Sequence, residues 1–169
     1  MAGDAQGNAR WLLGREEATL DEKGRVLFSK KKRDRLGEDF IMCLGDRGCV
    51  DVYPLDEWDK MVARVMDQDR SVEARDIFTR EVLGNAYSDL NFDPQGRAVV
   101  PRSLREEAKL QSDLVLIGCG DRVEIWAVEE LAKQKLNPKN YGRDRFEVVN
   151  EARVLLRAER WGGYDHLPG

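Results

Sequence analysis

The chain is poor in the residues that build reactive centres. It has one histidine among 169 residues, His166, in a Gly/Pro-flanked tail. No Ser/His/Asp or Cys/His constellation can be assembled around it, so acid–base and nucleophilic catalysis lack a starting point. The three cysteines, Cys43, Cys49 and Cys119, are odd in number and show no Cys-Xaa-Xaa-Cys spacing. That favours free thiols over a disulfide framework or a zinc site. Aromatics are scarce at 8%, and no apolar run is long enough to cross a membrane. Residues 1–10 are small and polar, without the apolar core of a secretory signal. Gly118-Cys119-Gly120-Asp121 lacks the lysine of a phosphate loop and joins two predicted strands, so it reads as a turn. The expectation is a cytoplasmic protein that is not an enzyme and has no metal and no cofactor.

Charge, by contrast, is plentiful. Charged residues make up 36% of the chain, with a net charge of −4 and a pI near 5.2. Taken alone, that balance argues mildly against nucleic acid. The distribution argues the other way. Residues 23–35 hold seven basic side chains (Lys23, Arg25, Lys30, Lys31, Lys32, Arg33, Arg35) and one acid, Asp34. Residues 97–105 hold Arg97, Arg102 and Arg105 and no acid. A polyanion responds to such focused local fields more than to the net charge.

The two basic stretches belong to an internal repeat. Asp21-Glu22-Lys23-Gly24-Arg25 recurs as Asp93-Pro94-Gln95-Gly96-Arg97, 72 positions later. Arg33 matches Arg105 at the same offset, and Val52-Tyr53 matches Ile125-Trp126. A collinear pattern of this kind marks two copies of one supersecondary unit. Each copy opens with a predicted hairpin: strand 18–20, turn 21–24 and return strand 25–28, then 90–92, 93–96 and 97–100. The turn Asp accepts backbone N–H groups, and the turn Gly takes the positive φ that a bulged hairpin needs. A short helix follows, at 30–36 with Ser29 as N-cap and at 102–110 after Pro101. Next come strand pairs at 40–44 with 49–53 and at 114–117 with 123–126. Further helices are predicted at 55–68 (N-cap Asp56), 71–83 (N-cap Ser71), 128–136 and 145–161. Leu155 and Leu156 suggest a packing face on the last of these.

Arg25 and Arg97 each follow a turn glycine. One such arginine reads as a solvated side chain paired to the turn carboxylate, worth about 0–1 kcal/mol. Two, each followed by more basic residues, favour contact with guanine or phosphate. The run Lys30-Lys31-Lys32-Arg33 is ambiguous alone, since charge runs are commonly solvated helix faces. Its place after the Arg25 turn adds weight to phosphate contact. The candidate DNA-binding set is Asp21, Lys23, Arg25, Lys30, Lys31, Arg33, Asp93, Arg97, Arg102 and Arg105.

Two Asp-Xaa-Xaa-Gly-Arg turns, each followed by apolar residues, an arginine-bearing helix, a strand pair and an acidic helix start, resemble the MraZ family over residues 15–131. Val100-Pro101-Arg102-Ser103-Leu104-Arg105 fits the family pattern. The first repeat departs from it with Phe28-Ser29 in place of an apolar residue and proline. Lys32 stands where the second repeat has Leu104, which suggests a looser short helix in the first repeat. The resemblance implies an α+β fold of two tandem AbrB-like swapped-hairpin repeats around a small β-barrel-like core, with flanking helices. The expected organisation is a flexible extension at 1–14, repeats at 15–58 and 87–130, a helical connector at 59–86 and a helical extension and tail at 131–169. It further implies a bacterial, nucleoid-associated transcriptional regulator, usually a repressor of the division and cell-wall gene cluster. The implied partners are double-stranded DNA, as repeated promoter elements, and the chain itself, as a ring-shaped homo-oligomer. The competing expectation is an AbrB-like protein-interaction or antitoxin-type module.

Overall fold

Apolar side chains alternate along most of the predicted strands, and they arrange the chain around one antiparallel sheet. A computed structural model describes residues 10–135 and 144–162. The first nine residues, the end of the helix predicted at 128–136, and His166 lie outside the described residues. Two compact units divide the chain, residues 1–130 and 131–169.

The strands of the first unit are β1 (Leu12–Thr19), β2 (Arg25–Leu27), β3 (Phe40–Leu44), β4 (Val50–Pro54), β5 (Tyr87–Leu90), β6 (Arg97–Val99), β7 (Asp113–Gly120) and β8 (Val123–Ala127). Six of them form a sheet in the order β1-β7-β8-β4-β3-β5, and β2 pairs with β6 in a separate ribbon. Every pairing is antiparallel.

Most predicted elements are present, but the opening strands lie upstream of the predicted 18–20 and 90–92, at Leu12–Thr19 and Tyr87–Leu90, and each takes an unexpected partner. Only a single bridge, Leu20 to Val26, joins the strand before the first turn to the strand after it. β1 pairs instead with β7 of the second repeat, Leu12 facing Gly120 and Thr19 facing Asp113. In return, β5 pairs with β3 of the first repeat, and the two return strands pair with each other. The two repeats therefore interlock.

The core explains why. Phe40 and Met42 of β3, Val50 and Val52 of β4, Leu114 and Leu116 of β7, Val123 and Ile125 of β8 and Leu12 of β1 point to one side of the sheet and are buried. Val26, Phe28, Ala98 and Val100 from the ribbon region join the same cluster, with Leu36, Leu104 and Ala108 from the short helices α1 (Lys30–Leu36) and α4 (Arg102–Glu107). Phe92 binds the pieces together, 5.3 Å from the Phe28 ring and 4.6 Å from the Phe40 ring. Neither repeat has enough apolar surface for such a core alone. The ribbon and the short helices pack over one face of the sheet. Among the described residues, no hydrogen-bonded pairing closes β1 onto β5.

The opposite side of the sheet carries Ile41, Cys43 and Tyr53, packed against Trp58, Val82 and Ala86. Trp58 belongs to α2 (Leu55–Met66), which starts directly after Pro54, so Asp56 sits in the first turn rather than capping it. There its charge complements the helix dipole. α3 (Glu73–Glu81) likewise begins after Val72, because Ser71 is bound to the Asp69 carboxylate. α5 (Val128–Lys135) leads into the second unit, which also holds α6 (Arg145–Gly162). Leu155 and Leu156 of α6 are exposed.

Candidate nucleic-acid interface

Each Asp-Xaa-Xaa-Gly-Arg segment folds into the same tight loop. The Asp21 carbonyl accepts the Gly24 N–H at 3.0 Å, and the Asp21 N–H donates to the Arg25 carbonyl at 3.0 Å. The side chain completes the turn: Oδ1 accepts the N–H groups of Lys23 (3.0 Å) and Arg25 (2.8 Å). Oδ2 accepts Nε of Arg25 at 2.7 Å. The second loop repeats the pattern, with Asp93 Oδ1 accepting Gln95 (3.0 Å) and Arg97 (2.9 Å) and Oδ2 accepting Arg97 Nε at 2.9 Å. The backbone N–H of Arg25 is the main cause that holds the Asp21 carboxyl below its usual range, and the N–H of Arg97 does the same for Asp93. Both carboxylates stay charged at neutral pH and fix the plane of their arginine. Arg97 Nη2 also donates to Gln95 Oε1 at 3.4 Å, a surface partner that a bidentate contact would displace.

The loops also grip each other. The Gly96 carbonyl accepts the Phe28 N–H at 3.1 Å, and the Gly24 carbonyl accepts the Val100 N–H at 2.9 Å. Arg97 Nη1 lies 4.0 Å from Asp21 Oδ2. Gly24 and Gly96 have φ of +77° and +87°, a conformation that other residues adopt at a cost. A second reason for glycine is a crossed packing. A Cβ on Gly24 would lie 2.7 Å from Arg105 Cζ, and one on Gly96 would lie 2.7 Å from Arg33 Cζ. Each helix arginine thus covers the turn of the other repeat. Arg33 Nε also donates to the Phe28 carbonyl at 3.1 Å, whereas Arg105 Nε is buried without a hydrogen-bond partner among the described residues.

The remaining candidates are spread around the loops. Lys23 and Lys31 are exposed. Lys30 is exposed and reaches Asp34 at 2.8 Å, and Arg102 is exposed and reaches Glu106 at 2.8 Å. The structure brings together Asp21, Arg25, Asp93 and Arg97 on the ribbon, with Arg33 and Arg105 as part-buried supports behind the turns. Alternation along the ribbon sends Val26 and Ala98 into the core and leaves Arg25, Leu27, Arg97 and Val99 on the outer face. Leu27 and Val99 had no functional reading from sequence; the signal was their period-2 alternation with Val26 and Ala98.

Lys32 behaves differently from its neighbours. It is 5% exposed, in the place of Leu104, and α1 is not loosened. Its ammonium lies 3.2 Å from the Leu13 carbonyl and 3.4 Å from Glu16 Oε2. Glu16 Oε1 also accepts the Ser29 N–H at 3.2 Å, a bond that proline at this position would lack. One carboxylate therefore accounts for both departures of the first repeat.

On the other side of the sheet, ligand atoms of Cys49, Asp51 and Glu124 lie within 4.8 Å of one another. Arg122 fills the electrostatic role a cation would have, reaching Asp51 at 3.5 Å, Asp121 at 3.0 Å and Glu124 at 2.9 Å. Burial pushes the Asp51 carboxyl up to about 7 despite that partner.

Comparison with known proteins places the chain. A family model described as "MraZ protein, putative antitoxin-like" matches residues 11–81 and again 82–137, one match per repeat. A protein named "Transcriptional regulator MraZ" from Thermoanaerobacter sp. (strain X514) is 40% identical over 118 residues, 70% of this chain and 82% of that one. Proteins of the same name from Pediococcus pentosaceus and Symbiobacterium thermophilum are 38% and 37% identical, over 68% and 72% of this chain and 80% and 87% of theirs. With both repeats matched by the family model and the relatives aligned over most of their length, the chain belongs to the MraZ family.

Proposed function

We propose that this protein is a sequence-specific DNA-binding transcriptional regulator that acts from the cytoplasm on the nucleoid. The observation that carries the reading is the pair Arg25 and Arg97, each fixed by a carboxylate and placed on the outer face of one ribbon. A two-stranded ribbon fits the major groove of B-DNA, and a pre-oriented guanidinium matches O6 and N7 of guanine. Asp21 and Asp93 orient these arginines, and Arg33 and Arg105 stiffen the loops that carry them. Lys23, Lys30, Lys31 and Arg102 supply phosphate contacts around the ribbon.

The exchange of strands between repeats supports the swapped-hairpin description of residues 15–58 and 87–130. One ribbon offers little contact area, so the working form is a ring-shaped homo-oligomer. Several copies would engage repeated promoter elements together, with effective concentration multiplying weak contacts. Following the family resemblance, the targets are elements ahead of the division and cell-wall genes, and the effect is repression.

The test is a footprint of the full-length protein on the DNA upstream of its own gene, with salt titrated and the oligomer sized by light scattering. The expected result is a periodic protected tract whose affinity falls steeply between about 50 and 200 mM salt. A monomer, or affinity flat across that range, refutes it. A protein partner captured with equal affinity by the Arg25→Ala/Arg97→Ala variant would favour the antitoxin-type reading.

A further inference from the structure

The outer face of the ribbon is half apolar. Arg25 faces Val99 and Leu27 faces Arg97 across β2 and β6. The bonds Phe28 N–H to Gly96 and Val100 N–H to Gly24 set the ladder's alternation. They make Arg25–Val99 and Leu27–Arg97 the closer, non-hydrogen-bonded pairs. Leu27 is 55% exposed and Val99 47% exposed, while the flanking Val26, Phe28, Ala98 and Val100 are all buried. Each large apolar side chain therefore stands beside an arginine already committed to a fixed direction by its aspartate.

We infer that Leu27 and Val99 form a thymine-methyl contact surface, which reads T beside the bases contacted by Arg25 and Arg97. The inference rests on the DNA-binding reading and adds a specificity that arginine alone does not have. In the major groove, the C5-methyl of thymine is the one apolar group on a base edge. Leu27 and Val99 lie on a diagonal of the ribbon, and such positions are about 7–8 Å apart. That is roughly two base-pair steps at ~3.4 Å each. The two methyl contacts would thus fall on different base pairs, interleaved with the two arginine contacts. A surface built only for phosphate has no use for apolar side chains at these positions. Burying a methyl against Leu27 or Val99 gains what an exposed leucine or valine leaves unused.

The experiment uses the wild-type oligomer and its protected upstream fragment. A second duplex carries uracil in place of every thymine, which removes only the methyl groups. The expected result is weaker binding to the uracil duplex by about fourfold per contacted methyl, equivalent to ~0.8 kcal/mol. The Leu27→Ser/Val99→Ser variant should bind both duplexes alike, with its remaining affinity still abolished by Arg25→Ala/Arg97→Ala. Equal wild-type affinity for the two duplexes overturns the inference while leaving DNA binding intact. A preference for thymine that persists in the serine variant also overturns it, because it would report duplex shape instead. A smaller oligomer in the serine variant overturns it too, assigning these side chains to a subunit interface. Absence of a footprint on either duplex removes the DNA-binding reading together with the inference.

Discussion

Replacing Gly96 with alanine should cost more than the same change at Gly24, although the two loops are near copies. Both glycines have positive φ, +87° and +77°, so an alanine at either carries a left-handed strain of roughly 1–2 kcal/mol. Both new Cβ atoms would also press on an arginine 2.7 Å away. The arginines differ in what they lose by moving. Arg33 gives up the 3.1 Å bond from Nε to the Phe28 carbonyl, whereas Arg105 Nε has no bond to give up among the described residues. A hydrogen bond of this kind is worth about 1 kcal/mol net. The expected costs are therefore ~2–3 kcal/mol for Gly96→Ala and ~1–2 kcal/mol for Gly24→Ala. Urea denaturation at fixed protein concentration measures both, because the slope reports exposed surface and the midpoint reports stability. A double-mutant cycle with Arg33→Ala isolates the contact, since the clash is gone in that background and Gly96→Ala should cost only the strain. If Gly96→Ala costs the same with and without Arg33, the crossed packing does not constrain the loop.

Three further outcomes follow from other parts of the molecule. Arg25→Ala and Arg97→Ala should each weaken operator binding by roughly 1–3 kcal/mol while leaving melting temperature and oligomer size nearly unchanged; a double variant that protects its operator at the wild-type concentration refutes this. Glu16→Ala should lower stability by about 1–3 kcal/mol because it leaves the buried Lys32 ammonium with only the Leu13 carbonyl. In thermal melts Lys32→Leu should be near neutral, and equal losses for the two variants count against the pairing. Asp51 is raised from 3.8 to about 7 in the folded protein, so the folded state holds its proton longer than the unfolded chain does. Stability should therefore fall as pH rises from about 4 to about 7, and a slope that Asp51→Asn leaves intact contradicts the assignment.

The repeat was legible because its marks are local. An aspartate that closes a turn and a glycine that takes positive φ can be read from five residues, and the two loops stand where those residues placed them. The short helices and both strand pairs were readable from apolar period and turn residues. Strand partners were not. Alternation tells which face of a strand is buried, and it says nothing of the neighbour; hence 18–20 read as half of a local hairpin, whereas β1 runs over Leu12–Thr19 and pairs with β7. Lys32 was misread for a similar reason. A lysine within a charge run looks solvated until Glu16, 16 residues upstream, is seen beside it. Arg33 and Arg105 read as candidate DNA contacts, and nothing in the sequence says that each also lies over the other repeat's glycine.

The exchange of strands between the repeats also has a consequence for synthesis. While the chain is being made, β1 has no partner until residues 113–120 have appeared, about a hundred positions later. At ~5–20 residues per second, that is a wait of roughly 5–20 s with an open strand and half a core. Non-local pairing of this kind slows folding. During the wait, the nearest complement on a crowded ribosome array is the second repeat of a chain ahead on the same message. The same pairing would then be satisfied between molecules, and chains would leave synthesis already linked. Expression from a message thinned to single ribosomes, compared with normal loading, should change the fraction of such linked chains.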